Sequence, residues 1–314
     1  MKYDTSFTLL LFLMALFSCD STKSSQHAAS TASKIEPHPH GPYFENYELI
    51  DQSFGTKTRV SLNDDKRIMK TNSLPNHQTG SFPNAGNPNR ISAQEKTYEF
   101  PVKPVYTGEA RWIREPGIAL NGIKFEPQTA EVVRCESGEN YRVEAMQELI
   151  NLGLDFNHAH VQPTGAYHYH GTPTSLIELF DQGKDMVHIG FAHDGFPIYY
   201  SKSGAYTSSF RLVDQKRTGT DCTYSNPHTN MDVSLDNTEA DGTYGSDWEY
   251  VEGLGDLDAC NGIELDGQYL YLVTDEFPYV GRCLMGEFVQ QGGPPPGPGR
   301  GGHPGPPPHH HGRH

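Results

Sequence analysis

The residues best suited to chemistry in this chain are histidines, six of the sixteen lying between His158 and His193. His168 and His170 alternate with Tyr167 and Tyr169. On a strand, residues i and i+2 share a face, so the two imidazoles project together and the two phenols project oppositely. Two imidazoles so placed can hold one Zn²⁺ or Cu²⁺ ion, and His160 supplies a third nitrogen, making a three-histidine site with an open position. A His-x-His pair alone is a weak signal, because strand histidines also serve as hydrogen-bonded structural residues or as a metal-free acid/base site. The segment from His188 to Pro197 adds Asp194, expected either as a ligand or as the group that fixes the tautomer of a ligand histidine. Asp194-Gly195 also reads as a plain turn between strands, and His193 reads as peripheral to the site. His303, His309, His310, His311 and His314 sit in a Gly/Pro-rich tail, where flexible ligands carry an ordering cost, and they are left out of the site.

The elements that must position these side chains are short strands. Alternation at Tyr98-Glu99-Phe100, from Val187 to Phe191 and from Tyr269 to Val273 marks three of them, and dense Gly, Pro, Asn and Asp punctuation suits many more. From Val143 to Leu152 the apolar residues follow a helical period, with Gly153 as a stop, which predicts one helix. The expected fold is therefore mainly β: a single domain over residues 43–288 with a small helical insert.

An internal pseudo-repeat links the candidate site to a second region. Asn157-His158-Ala159-His160 followed by Tyr167-His168-Tyr169-His170 returns as Cys260-Asn261-Gly262-Ile263 followed by Tyr269-Leu270-Tyr271-Leu272. Each copy starts just after an Asp, Asp155 or Asp258, and places a Gly two residues before its first Tyr. Three positions change together: His160 to Ile263, His168 to Leu270 and His170 to Leu272. Residues lost as a set are expected to share one purpose. The counterpart of Cys260 is Asn157, and the region matching Cys283, around Ser175, also lacks cysteine, so Cys260 is expected to pair with Cys283. That leaves Cys135 for Cys222, two disulfides suited to an oxidising compartment.

The chain opens with Met1-Lys2-Tyr3-Asp4 and an apolar run from Leu9 to Phe17, too short for a permanent membrane helix and laid out as a signal peptide over residues 1–18. It ends in Leu16-Phe17-Ser18-Cys19, which resembles the bacterial lipobox, and no Ala-x-Ala site follows. Cys19 is therefore expected to carry the lipid that anchors the protein to a membrane, outside the cytoplasm. Asp20 signals inner-membrane retention only in some bacteria, so the outer membrane is the preferred location. Residues 19–42 read as a flexible tether and residues 289–314 as a disordered tail rich in Gly, Pro and His. The net charge of −15 argues against nucleic acid and against docking on anionic lipid through a basic face.

Around Gly165-Ala166-Tyr167-His168-Tyr169-His170-Gly171 the sequence resembles the YHYH domain family. Further stretches agree with it, in order: Phe82-Pro83-Asn84, Asn87-Pro88-Asn89, Gly117 to Gly122, Asp194 to Tyr199, Cys260-Asn261-Gly262 and Phe277-Pro278-Tyr279. Members often carry Cys-Asn-Gly-His before Tyr-His-Tyr-His, sometimes in both copies. Here the first copy keeps His160 without the cysteine, and the second keeps Cys260 without histidines, leaving one complete histidine set. The resemblance implies a domain and no particular activity, and no hydrolase elbow, zincin helix, phosphate loop or dinucleotide fingerprint occurs. Two functions are carried forward: a metal-binding lipoprotein, hydrolytic if the open position activates water, and a non-enzymatic surface module that takes an extracellular polysaccharide or small molecule on its Tyr and Trp residues.

Overall fold

Short runs of β-branched and aromatic residues, each cut by Gly, Asn, Asp or Pro, cannot extend far, and they pair with near neighbours into several small sheets. A computed structural model describes residues 41–289 of the chain. Strands β1 (Tyr47–Asp51), β2 (Thr56–Asn63), β3 (Lys66–Thr71) and β4 (Lys96–Pro101) form an antiparallel meander. In β2 the alternation is clean, with Thr56, Thr58 and Val60 buried and Lys57, Arg59 and Ser61 exposed. β5 (Tyr106–Trp112) pairs with β20 (Cys283–Gly286). A second four-stranded sheet joins β8 (Gln128–Cys135), β9 (Asn140–Glu144), β15 (Cys222–Ser225) and β16 (Asn230–Val233), while β14 (Phe210–Leu212) pairs with β17 (Trp248–Tyr250).

The sheet that matters for the site has eight strands: β6 (Gly117–Ala119), β7 (Lys124–Phe125), β10 (Ala159–Val161), β11 (Tyr167–Tyr169), β12 (Met186–Ala192), β13 (Pro197–Ser201), β18 (Gly262–Leu265) and β19 (Gln268–Val273). Their order is β10-β11-β7-β6-β12-β13-β19-β18, which reads the same from either edge once the two halves are matched. An antiparallel hairpin lies at each edge, each hairpin joins its inner neighbour in parallel, and β6 meets β12 antiparallel at the centre. There Gly117 faces Ala192, Ile118 faces Phe191 and Ala119 faces Gly190, the register of a pseudo-two-fold axis through the central pair. The core follows the same centre, with Ile118, Ala119, Phe125, Ile189 and Phe191 all fully buried.

The expected pseudo-repeat is thus the pair of edge hairpins, and their interiors agree atom by atom. Asp155 accepts the backbone N–H of Asn157 and Ala159 and the hydroxyl of Tyr167 at 2.7 Å; Asp258 accepts those of Cys260 and Gly262 and the hydroxyl of Tyr269, also at 2.7 Å. His158 and Asn261 occupy the same left-handed position, φ 50° and 61°. Both expected disulfides are present, Cys135–Cys222 and Cys260–Cys283. In the first half, the side chain of Asn157 accepts the N–H of Ser175 at 2.8 Å, a hydrogen bond where the second half has its cross-link.

The helix expected from Val143 to Leu152 is not there. Tyr141 and Val143 are buried as alternate residues of β9, and the chain from Ala145 to Leu152 is irregular. Gln147 binds both the N–H and the carbonyl of Ile150, and Asn151 accepts the N–H of Gly153. Such local side-chain bonds compete with helical ones, and the apolar spacing served strand and loop instead. Among the described residues the one α-helix is α1 (Thr174–Phe180), whose Leu176, Ile177 and Phe180 are buried.

Candidate metal centre

Strand pairing brings the three histidines together. In the β10–β11 hairpin His160 lies directly opposite His168, and residues opposite one another in an antiparallel pair share a face. His170 follows two residues after His168 on that face, while Tyr167 and Tyr169 turn the other way toward His77 and Phe82. The three rings pack edge to face, with centroids 4.6 to 4.7 Å apart, and one ligating nitrogen from each lies within 4.8 Å of the others. His168 and His170 are each 2% exposed.

The backbone sets how the rings point. Nδ1 of His160 is 2.8 Å from the Leu152 carbonyl, that of His168 is 3.3 Å from the Ala166 carbonyl, and that of His170 is 3.5 Å from the Pro127 carbonyl. A carbonyl can only accept, so Nδ1 of His160, at 2.8 Å, donates to Leu152 and its Nε2 is left with its lone pair. Nε2 of His160 and Nε2 of His170 then face each other at 3.1 Å. At that separation the two nitrogens share either a proton carried by Nε2 of His170 or a cation held between them. Two nitrogens bound tetrahedrally to one ion at Zn–N distances of 2.0 to 2.1 Å would sit about 3.3 Å apart, so the donor set fits a shared divalent cation.

Burial also prepares the site. It lowers the pKa of His160 and lowers those of His168 and His170 well below the ordinary histidine value, and the rings disfavour one another's protonation. The imidazoles are therefore neutral, as ligands must be. Beside them lies Glu126, 1% exposed, bound to Arg114 at 2.6 Å and to Lys124 at 2.7 Å, with Gln162 donating to it at 2.7 Å. Burial alone would raise the Glu126 pKa, and the two cations outweigh it and hold the carboxylate ionised. Lys124 stands opposite His168 in the β7–β11 register.

Asp194, expected in or beside this cluster, is placed elsewhere, and the expectation is corrected. It follows β12 in the other half of the sheet, where it accepts the hydroxyl of Tyr271 at 2.5 Å and the N–H groups of Phe196 and Gly286 at 3.3 and 3.0 Å. Its counterpart is Asn121, whose amide donates to Tyr169 at 3.1 Å and accepts the N–H of Ile123 at 3.2 Å. The overlooked signal is a second repeat: Gly117-Ile118-Ala119-Leu120-Asn121-Gly122 matches Gly190-Phe191-Ala192-His193-Asp194-Gly195, both ending in a turn glycine at φ 87° and 91°. Aligning those stretches would have assigned Asp194 to a turn beneath a tyrosine. His193 stacks on Phe100 at 5.8 Å, and His188 lies 2.9 Å from the Gly190 carbonyl. Glu126, Arg114 and Lys124 carried no recognisable motif, since only the β7–β11 pairing brings them to the histidines.

Cys19 and the tail histidines lie outside the described residues. Among the described residues no helix is long and apolar enough to cross a membrane. No curated protein and no solved structure matches the chain significantly. The family model described as YHYH protein matches residues 97–286, well over half of the 314-residue chain, with both hairpins and the whole histidine cluster inside the match, and the chain therefore belongs to the YHYH protein family.

Proposed function

We propose that the protein binds one divalent transition-metal ion, zinc or copper, through Nε2 of His160, His168 and His170. The observation that carries the reading is the convergence of three imidazoles on one face of the hairpin, one nitrogen from each within 4.8 Å of the others. Imidazole nitrogens suit Zn²⁺ or Cu²⁺ over Mg²⁺ or Ca²⁺, and the four cysteines among the described residues are engaged in disulfides. A bound ion with three protein ligands would supply Lewis acidity at its remaining position. The chain's own residues hold the rings neutral, and Glu126, pinned by Lys124 and Arg114, sets the local charge. Elemental analysis after zinc or copper loading and gel filtration tests this: about one equivalent is expected in the wild type and none in His168→Ala, His170→Ala. Wild-type protein that stays metal-free, or a double variant that keeps its metal, overturns the reading.

The same proposal places the domain outside the cytoplasm on a lipid carried by Cys19. The lipobox-like Leu16-Phe17-Ser18-Cys19 supports it, and a hydrophilic stretch follows that offers no other anchor. Two or three acyl chains resist salt washing where a surface charge would not. Cys19→Ala is expected to move the protein from the membrane to the soluble fraction, and wild-type protein extractable by high salt would contradict lipidation.

A further inference from the structure

Outside the cluster of His160, His168 and His170, Arg67 of β3 is 3% exposed. Its guanidinium lies 3.7 Å from the centroid of the Phe191 ring, one Nη donates to the Phe44 carbonyl at 2.9 Å, and Nε has no hydrogen-bond partner. Among the described residues no carboxylate stands within ion-pair distance of it; Glu45 acts on it only from afar. A buried cation without an anion costs several kcal/mol, more than a stack on an aromatic ring returns. Arg67 borders a cavity of about 390 Å³ whose walls include Tyr43, Phe180, Met186, Phe196 and Tyr199, with the exposed Lys184 beside it.

We propose that this cavity binds a small organic acid, its carboxylate paired with Arg67 and its apolar body laid against the aromatic walls. The planar guanidinium suits a carboxylate, the low-dielectric walls strengthen the pair, and Lys184 adds a second positive charge. A neutral apolar ligand would leave Arg67 without its anion, and a cationic one would be repelled. The volume falls in the range of small-molecule sites. Nothing in this depends on the histidine cluster.

Calorimetry with the full chain and three ten-carbon probes, decanoate, decanol and decylamine, tests the proposal. Decanoate is expected to bind at least about tenfold more tightly than decanol, with decylamine weakest, as a charge-assisted hydrogen bond implies. Arg67→Met should bring decanoate down to the level of decanol. Met186→Trp, on the cavity wall, should block both probes, and it decides the matter if Arg67→Met does not fold. Equal binding of acid and alcohol to the wild type, no binding of decanoate, a preference that survives Arg67→Met, or decanoate binding undiminished in Met186→Trp would each overturn it.

Discussion

The two edge hairpins of the eight-stranded sheet share a backbone, an Asp–Tyr bond and a left-handed residue, yet one carries three imidazoles where the other carries Ile263, Leu270 and Leu272. Those three aliphatic residues pack with Leu257 and Leu265 into an ordinary small core. The hairpin therefore folds without histidine, and the first copy bears an expense that the second avoids: three polar rings packed side by side, two of them buried. The second copy shows that the fold does not require that arrangement, and the proposed ion would give it a use.

The sharpest way to break the comparison is to write the second hairpin into the first, as His160→Ile, His168→Leu, His170→Leu. Metal binding should vanish altogether, while urea unfolding of the metal-free variant should occur no earlier than that of metal-free wild type, since aliphatic packing replaces desolvated imidazoles. Added metal at a hundredfold excess over its Kd should stabilise the wild type by about 2.7 kcal/mol and the variant not at all. If the variant failed to fold, the histidines would be structural and the proposed function would lose its main support.

A second test, of similar size in stability and with no effect on metal binding, concerns the covalent difference between the halves. Cys260–Cys283 closes a loop with a sequence separation of 23, for which chain entropy predicts about 3 kcal/mol. Replacing both cysteines by serine should cost that much in denaturant unfolding. Asn157→Ala, which removes the acceptor for Ser175 and a donor to the Gln78 carbonyl, should cost less, about 1 to 3 kcal/mol. An Asn157→Ala cost that exceeded the cysteine pair would show that the cross-link is ornamental to the second hairpin.

What the sequence disclosed follows from how local each feature is. The Tyr-His-Tyr-His alternation fixes its own faces, so His168 and His170 were legible together, and the hairpin spacing made His160 legible with them. The cysteine pairing was legible because a repeat supplied a control copy. The Nδ1 acceptors on Leu152, Ala166 and Pro127 were not, since any residue can offer a backbone carbonyl. The parallel contact that sets Lys124 against His168 joins strands some forty residues apart, and periodicity says nothing of it. The Val143–Leu152 spacing misled because Val143 on β9 and Leu149 and Ile150 on the irregular loop reach the same small core without a helix between them.

The smallest expected effect concerns Asn121 and Asp194, equivalent in place and opposite in polarity. Tyr169 accepts a hydrogen bond from Asn121 and donates to His77, whose Nδ1 is committed to the Gln78 carbonyl; Tyr271 donates to Asp194 and accepts from the N–H of Met285. Asp194 also accepts the N–H of Gly286, so Asp194→Asn would set an amide donor against a backbone donor and cost about 1 kcal/mol at neutral pH. Burial raises the Asp194 pKa to about 6, against the pull of Tyr271 and the backbone N–H groups. A carboxyl whose folded pKa lies above its unfolded value adds stability that is complete below about pH 4 and lost as pH rises through about 6. Asparagine has no such dependence, so the deficit of Asp194→Asn relative to the wild type should be larger at pH 4.5 than at pH 7.5. Urea unfolding of both proteins at the two pH values measures it. A deficit that grew with pH would mean that the ionised carboxylate is the form the fold prefers, and that Asp194 differs from Asn121 in charge as well as in shape.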